Sequence, residues 1–337
     1  MTASIEMAGP FRYLHGARTS VNFQGYQQPV RSPLIIGTQD TRCSAAGFTL
    51  APMIRIGMST TCAYPLPTEH AFRLAKLAGF DGIEIMVTRD EVTQDAAALL
   101  ALSRKYKLPI FSIHAPVLLL THFVWGRDPL TKLERSADLA AEVGARTVVV
   151  HPPFRWQADF AVTFLDSVRE IGAQTGIEIA VENMFPWKFG GRSMKAYSPG
   201  WDTTRMDCDA VTLDFSHCAL SGIDSLSMAT ELGDRLRHVH LCDGSGSLDE
   251  GKVFDEHLLP GRGSEPVAEV LNLLARTGWD GRIVAEVNTR KARTEQERLV
   301  LLVETLAFAR LHTAQRRVRR APRSPRAHES LRPGQQH

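Results

Sequence analysis

Seven side chains able to bind a metal ion or move a proton recur at matching places, each late in a short β-branched, apolar run. His114 falls in IFSIHA (110–115), His151 in TVVVHP (147–152), Glu182 in IEIAVEN (177–183), Asp214 and His217 in VTLDFSH (211–217), His240 in HVHLCD (238–243) and Glu286 in RIVAEVN (282–288). A lone histidine at such a place is ordinarily a hydrogen-bonded structural residue. The series reads differently, because carboxylates buried together without cations would shift one another's pKa strongly and cost several kcal/mol per charge. A divalent metal resolves that conflict. Imidazole and carboxylate donors without thiolate suit zinc, manganese, iron, cobalt or nickel, and several histidines disfavour calcium and magnesium. A further pair, Asp255 and His257, stands two positions apart in FDEHLLPGRG (254–263), a polar stretch where a loop is expected.

For these residues to meet, the runs that carry them must lie side by side. Two more strand candidates, IRIGMS (54–59) and GIEIMV (82–87), bring the number to eight from Met53 onward. Helical patterns fill the gaps, as in TEHAFRLAKLAG (68–79), where Thr68 is placed to cap the start and Gly79 to close the end. Near-continuously apolar strands, each followed by a helix, predict a parallel sheet covered by helices. Eight repeats over about 260 residues fit an α/β fold of the (β/α)8 TIM barrel type, a single domain, better than an open doubly wound sheet. No GxGxxG turn follows an early strand, which counts against dinucleotide binding. In a parallel barrel every strand opens its C-terminal end on one face, so side chains 172 positions apart converge there.

The barrel is expected over residues 53–313. Residues 1–52 show neither helical nor strand periodicity and read as a disordered extension or an over-long start. Residues 314–337, rich in Arg, Pro and Ser, read as a disordered basic tail with too few apolar side chains to offset its ordering entropy. The net charge of +2 divides into +2 for residues 1–52, +6 for the tail and −6 for the barrel. A core of that sign, without an obvious basic stripe, is a poor match for nucleic acid. No apolar run approaches the roughly 20 residues a spanning helix needs, and the N-terminus lacks a signal-peptide layout, so no membrane partner and a cytoplasmic location are expected. The five cysteines (Cys43, Cys62, Cys208, Cys218, Cys242) lack paired spacing and read as reduced, mostly buried thiols.

Over about residues 53–312 the chain resembles the xylose isomerase-like TIM barrels, in strand order and in the motifs SIHAP, VVVHPP, VENM, TLDFSH, HVHLCD and VAEVN. That family includes sugar and sugar-phosphate isomerases and epimerases, inosose dehydratases and the endonuclease IV-type AP endonucleases. Resemblance to the isomerase and epimerase branch implies one metal, zinc or manganese foremost, held by Glu182, Asp214, His240 and Glu286. Glu182 and Glu286 would also move the substrate's proton, with His217 on a substrate hydroxyl or serving as a second-metal ligand. Resemblance to the endonuclease IV branch implies instead three zinc ions on nine ligands: His114, His151, Glu182, Asp214, His217, His240, Asp255, His257 and Glu286. One to three ions per chain follow from the two readings. HAPVLLLTHFVWG lacks the tyrosine-containing loop with which the endonucleases probe a duplex, and Glu84 in DGIEIM resembles the sugar-enzyme branch. Glu84 reads equally as a structural carboxylate. The expected activity is therefore that of a sugar or sugar-phosphate isomerase or epimerase, with abasic-site DNA hydrolysis as the alternative. A metal-binding barrel without catalysis, binding a partner through its arginine tail, is the third reading.

Several residues are candidates for the substrate rim. PGRGSEP precedes a helical pattern, so Gly261, Arg262, Gly263 and Ser264 could present backbone N–H groups and a guanidinium to an anion. Arg155 and Trp156 in HPPFRWQ either line the rim or pack on the fourth helix. ENMFPWKFGGRSMKAYSPGW is long and aromatic for a simple connection, which makes Trp187 and Lys188 candidates for a substrate-covering loop. Family barrels often pair through their outer helices, so a homo-oligomer is a further expectation.

Overall fold

A computed structural model describes residues 53–314 apart from 118–120, 122, 190, 191, 247, 250, 251 and 254, with backbone alone at 188–189, 192–193, 248–249 and 252–253. The expected N-terminal extension, with Cys43, and the basic tail from 315 lie outside the described residues. Eight parallel strands close on themselves in chain order: β1 (Arg55–Ser59), β2 (Gly82–Met86), β3 (Ile110–His114), β4 (Thr147–Val150), β5 (Glu178–Glu182), β6 (Ala210–Asp214), β7 (Leu236–Leu241) and β8 (Arg282–Ala285). β8 returns to β1 with Arg282 opposite Arg55 and Ala285 opposite Met58. Every residue of β2, β3, β4 and β6 is buried. That is why these strands read as continuous apolar runs rather than alternating ones: one face packs in the barrel, the other under helices.

The covering helices are α1 (Thr68–Ala78), α2 (Ala96–Tyr106), α3 (Pro129–Val143), α4 (Ala158–Thr175), α5 (Phe215–Ser221), α6 (Ser225–Leu232), α7 (Val267–Thr277) and α8 (Glu295–Thr313). The strict strand-then-helix alternation fails once. After β5 the described chain forms an antiparallel hairpin, Trp187–Phe189 with Arg192–Met194, and a 3-10 turn at Thr203–Arg205; two short helices follow β6 instead. The Pro, Gly and aromatic content of that stretch denies it a helical stripe.

Two local expectations change. Pro67, not Thr68, is the cap position of α1, and the Thr68 hydroxyl donates to Asp90 Oδ2 at 2.7 Å; Gly79 does close the helix, at φ 91°. The run VTLDFSH is not strand throughout. Asp214 ends β6 and its Oδ1 accepts from the His217 N–H at 2.9 Å, a side-chain cap that starts α5 at Phe215. His217 is thus carried on a helical turn above the strand end.

Toward the opposite end of the barrel the Phe111 ring lies close against Gly57 and Gly82. A Cβ on Gly82 would lie 2.3 Å from that ring, so this glycine is required by close approach rather than by a turn. Cys62, Cys208, Cys218 and Cys242 are buried free thiols, as expected. Among the described residues no helix is long and apolar enough to cross a membrane.

Candidate active site

The strand ends deliver the expected side chains to one place. His114 and Glu182 are the last residues of β3 and β5, Asp214 ends β6, His240 is next to last in β7, and His151 and Glu286 directly follow β4 and β8. Their atoms are in mutual contact. Glu182 Oε2 lies 3.0 Å from His151 Nε2 and 3.3 Å from His114 Nε2; its Oε1 lies 3.0 Å from His240 Nδ1 and 3.3 Å from His217 Nδ1. His240 Nδ1 also faces Glu286 Oε2 at 2.9 Å and Asp214 Oδ2 at 3.8 Å.

The loop after β7 joins this group. Asp255 Oδ2 lies 3.1 Å from His217 Nε2 and 2.9 Å from His257 Nε2, while its Oδ1 accepts from the Ser216 hydroxyl at 2.7 Å. All nine residues of the larger expected set therefore stand together, and His114, His151, Glu182, His217, Asp255, His257 and Glu286 line an open cavity of about 420 Å³.

The imidazole tautomers follow from the backbone. Nδ1 of His114 donates to the Ala115 carbonyl, of His217 to the Asn183 carbonyl and of His257 to the Glu286 carbonyl, at 3.1, 2.8 and 2.8 Å. A carbonyl only accepts, so in the neutral ring each Nε2 carries a lone pair, and each Nε2 faces a carboxylate. That juxtaposition requires a proton or a metal ion between the atoms. Burial would raise the Glu182 carboxyl, yet the imidazoles of His240 and His151 outweigh it and hold it well below the usual range. Burial is likewise overcome at Glu84 by His240 and His238, and at Asp255 by His257 and His217. Asp214 is pushed up, because burial exceeds what His217 and His257 offset. Against their own burial, His217, His240 and His257 are driven well above the usual imidazole value by the surrounding carboxylates. Among the described residues no lysine or arginine pairs with Glu84, Glu182, Asp214 or Glu286; imidazoles, hydroxyls, a thiol and backbone N–H groups are their only partners. The donor set fits a borderline divalent cation, and Glu182, Asp214, His240 and Glu286 offer ligand atoms within 4.8 Å of one another.

Other expected site residues fall elsewhere. Glu84 is fully buried within β2 below the cavity, its Oε2 taking a hydrogen bond from Ser112 and facing His238 at 3.1 Å, its Oε1 facing His240 Nε2 at 3.2 Å. It acts on His240, not at the rim. Arg262 does not reach the cavity: its guanidinium holds both oxygens of Glu304 on α8 at 2.7 Å. The N–H groups around PGRG do form an anion receptor, but the anion is internal. The buried Asp243 carboxylate accepts from Gly244, Gly261, Gly263 and Glu265 N–H at 2.9, 2.9, 3.0 and 3.2 Å. A Cβ on Gly263 would lie 2.3 Å from Asp243 Oδ1, so glycine is what lets the loop close on it. Asp243→Ala is expected to lower the unfolding free energy by about 1–3 kcal/mol in urea titration, with Asp243→Asn losing less because one acceptor oxygen remains; equal stability of Asp243→Ala would remove this role. Arg155 is exposed and outside the cavity lining, Trp187 lines the cavity, and the Lys188 side chain lies outside the described residues.

Thr61, His238, Phe154, Phe185, Tyr197 and Arg290 escaped the sequence reading. Thr61 donates to Glu286 Oε1 at 3.1 Å. His238 was visible in principle, because HVH places two histidines on one face of a strand. The aromatic wall was legible only in part: Phe185 and Tyr197 share the aromatic β5–β6 connection with Trp187, but Phe154 comes from the loop after β4, which only the fold brings beside them.

Comparison with known proteins agrees with this architecture. The family described as the xylose isomerase-like TIM barrel matches residues 72–310. An uncharacterized protein of Mycobacterium tuberculosis is 45% identical over 282 residues, spanning 78% of this chain and 99% of its own. Fructoselysine 3-epimerase of Escherichia coli O157:H7 is 25% identical over 272 residues, 70% of this chain and 91% of its own. Among solved structures, a D-tagatose 3-epimerase-like protein superposes with a TM-score of 0.56 at 21% identity over 77% of this chain and 100% of its own, a likeness of fold. With a closed eight-stranded parallel barrel and a family match over more than half its length, the chain belongs to the xylose isomerase-like TIM-barrel family.

Proposed function

We propose that the chain is a divalent-metal-dependent enzyme that epimerises or isomerises a sugar by moving a proton beside a carbonyl. The observation that carries this reading is the meeting of Glu286, Glu182 and Asp214 at His240 Nδ1, at 2.9, 3.0 and 3.8 Å, at the edge of the open cavity. Those four residues would hold the ion, His240 through Nδ1 because its Nε2 is turned to Glu84. A bound ion supplies Lewis acidity, offsetting the negative charge that develops on the carbonyl oxygen when the neighbouring C–H bond is broken.

The protein supplies the proton transfer. Glu182 and Glu286 reach the cavity from strands separated by β6 and β7, so they approach a bound sugar from different directions. One carboxylate takes the proton from carbon. The other returns a proton, to the opposite face of the same carbon in epimerisation or to the adjacent carbon in isomerisation. Thr61 orients Glu286 by donating to it, and His217 stands where it can bind a substrate hydroxyl. The epimerase identity of the E. coli relative supports the same chemistry. Incubation of zinc- or manganese-loaded protein with a panel of ketoses, ketose phosphates and ketose-containing disaccharides in D2O should place deuterium next to the carbonyl; a panel with no exchange at all would contradict the reading.

A second reading draws on a separate observation. His217 and His257 both converge on Asp255, and His114 and His151 both converge on Glu182, which provides donors for two further ions. Three ions would suit phosphodiester hydrolysis. Incision of abasic-site DNA by protein carrying three zinc ions per chain would favour it.

A further inference from the structure

The proton-transfer reading leaves the aromatic wall of the cavity unused. Phe154, Trp187 and Tyr197 form a contiguous group, with ring centroids 5.2 Å apart for Phe154 and Tyr197, 5.9 Å for Phe154 and Trp187 and 6.5 Å for Trp187 and Tyr197. The group does not stop at the cavity. Trp156, outside the cavity lining, stacks on Phe154 at 4.3 Å with planes 8° apart and lies 6.0 Å from Trp187, yet remains 57% exposed. A single exposed apolar residue needs no explanation, but an exposed indole stacked on a ring of the cavity wall offers its outer face as a surface suited to the apolar face of a sugar ring. Sugar rings present such C–H faces.

The two anion-binding places the sequence offered, the PGRG loop and Arg262, are meanwhile occupied. Asp243 fills the PGRG receptor, and Glu304 holds Arg262. Arg290, the one Lys or Arg among the described residues lining the cavity, lies 4.9 Å over the Tyr64 ring.

We propose that this aromatic run is a two-part platform, Tyr197, Phe154 and Trp187 holding the reacting sugar and Trp156 holding a second, uncharged sugar ring joined to it. The substrate class is then a neutral ketose-containing disaccharide or glycoside rather than a sugar phosphate. The inference rests on the sugar-epimerase reading.

Its test is binding rather than turnover. Calorimetric titration of the protein as purified would compare D-fructose, D-fructose 6-phosphate and two ketose disaccharides of different linkage, lactulose and isomaltulose. At least one disaccharide should bind about tenfold tighter than fructose, the stacking of one ring, with the phosphate no tighter than fructose. In Trp156→Ala that preference should fall to about unity; the position is exposed, so the fold should survive. Equal binding of fructose and both disaccharides, tightest binding of the phosphate, a preference unchanged in Trp156→Ala, or no disaccharide binding at millimolar concentration each overturns the platform. Proton NMR of the same mixtures in D2O separates the two ideas. A bound disaccharide without C–H exchange sinks the epimerase reading and leaves the platform, whereas exchange into fructose with no disaccharide preference does the reverse.

Discussion

Glu286→Gln should lower the rate of deuterium uptake into the sugar by roughly 10²–10⁴-fold, the range expected when a positioned general acid or base is lost. The substitution keeps the shape of the side chain and the contact from Thr61 while removing the group that exchanges a proton with carbon. The barrel should survive, because Glu286 follows β8 and its neighbours Ala285 and Val287 still fill the core. Glu182→Gln should cost at least as much, since Glu182 faces His114, His151, His217 and His240 together. Uptake within about tenfold of the parent in Glu286→Gln would remove that residue from the acid/base pair.

Metal removal has the second large expected effect, and it is on stability as well as activity. Glu84, Glu182, Asp214 and Glu286 are at most 7% exposed and have no lysine or arginine partner among the described residues, so without an ion their charge is balanced by imidazolium alone. An ion that binds only the folded chain stabilises it by about 4 kcal/mol at a thousand times its Kd. Dialysis against a chelator should therefore lower the melting temperature by several degrees and abolish exchange, with both restored by zinc or manganese. Loss of activity with an unmoved melting transition would mean that the buried carboxylates are balanced without metal.

The parts of the fold legible in the sequence were those governed by local pattern. Apolar runs ending in His114, Glu182 and His240 marked strands because both of their faces are buried, and the barrel rule then brought their ends together. At Asp214 the apolar alternation continued by Phe215 favours strand over the local helix-start signal, an Asp whose side chain caps the N–H three residues on, at His217. The PGRG loop was recognised as an anion receptor, but not its occupant, since Asp243 lies 18–22 positions away from three of the N–H groups it binds. Arg262 was drawn off by Glu304, 42 positions along, on a helix whose placement no local pattern reveals. Glu84, one carboxylate in an otherwise apolar strand, carried a signal of partnership but not of its partner.

The central claim is that these side chains exist to hold a divalent cation. Elemental analysis of protein purified without chelator, in parallel with Glu182→Ala, tests it most directly. The account predicts at least one zinc or manganese ion per chain in the parent and its loss in the variant. A folded parent with well under one such ion per chain, which takes up none when zinc or manganese is supplied, would contradict it.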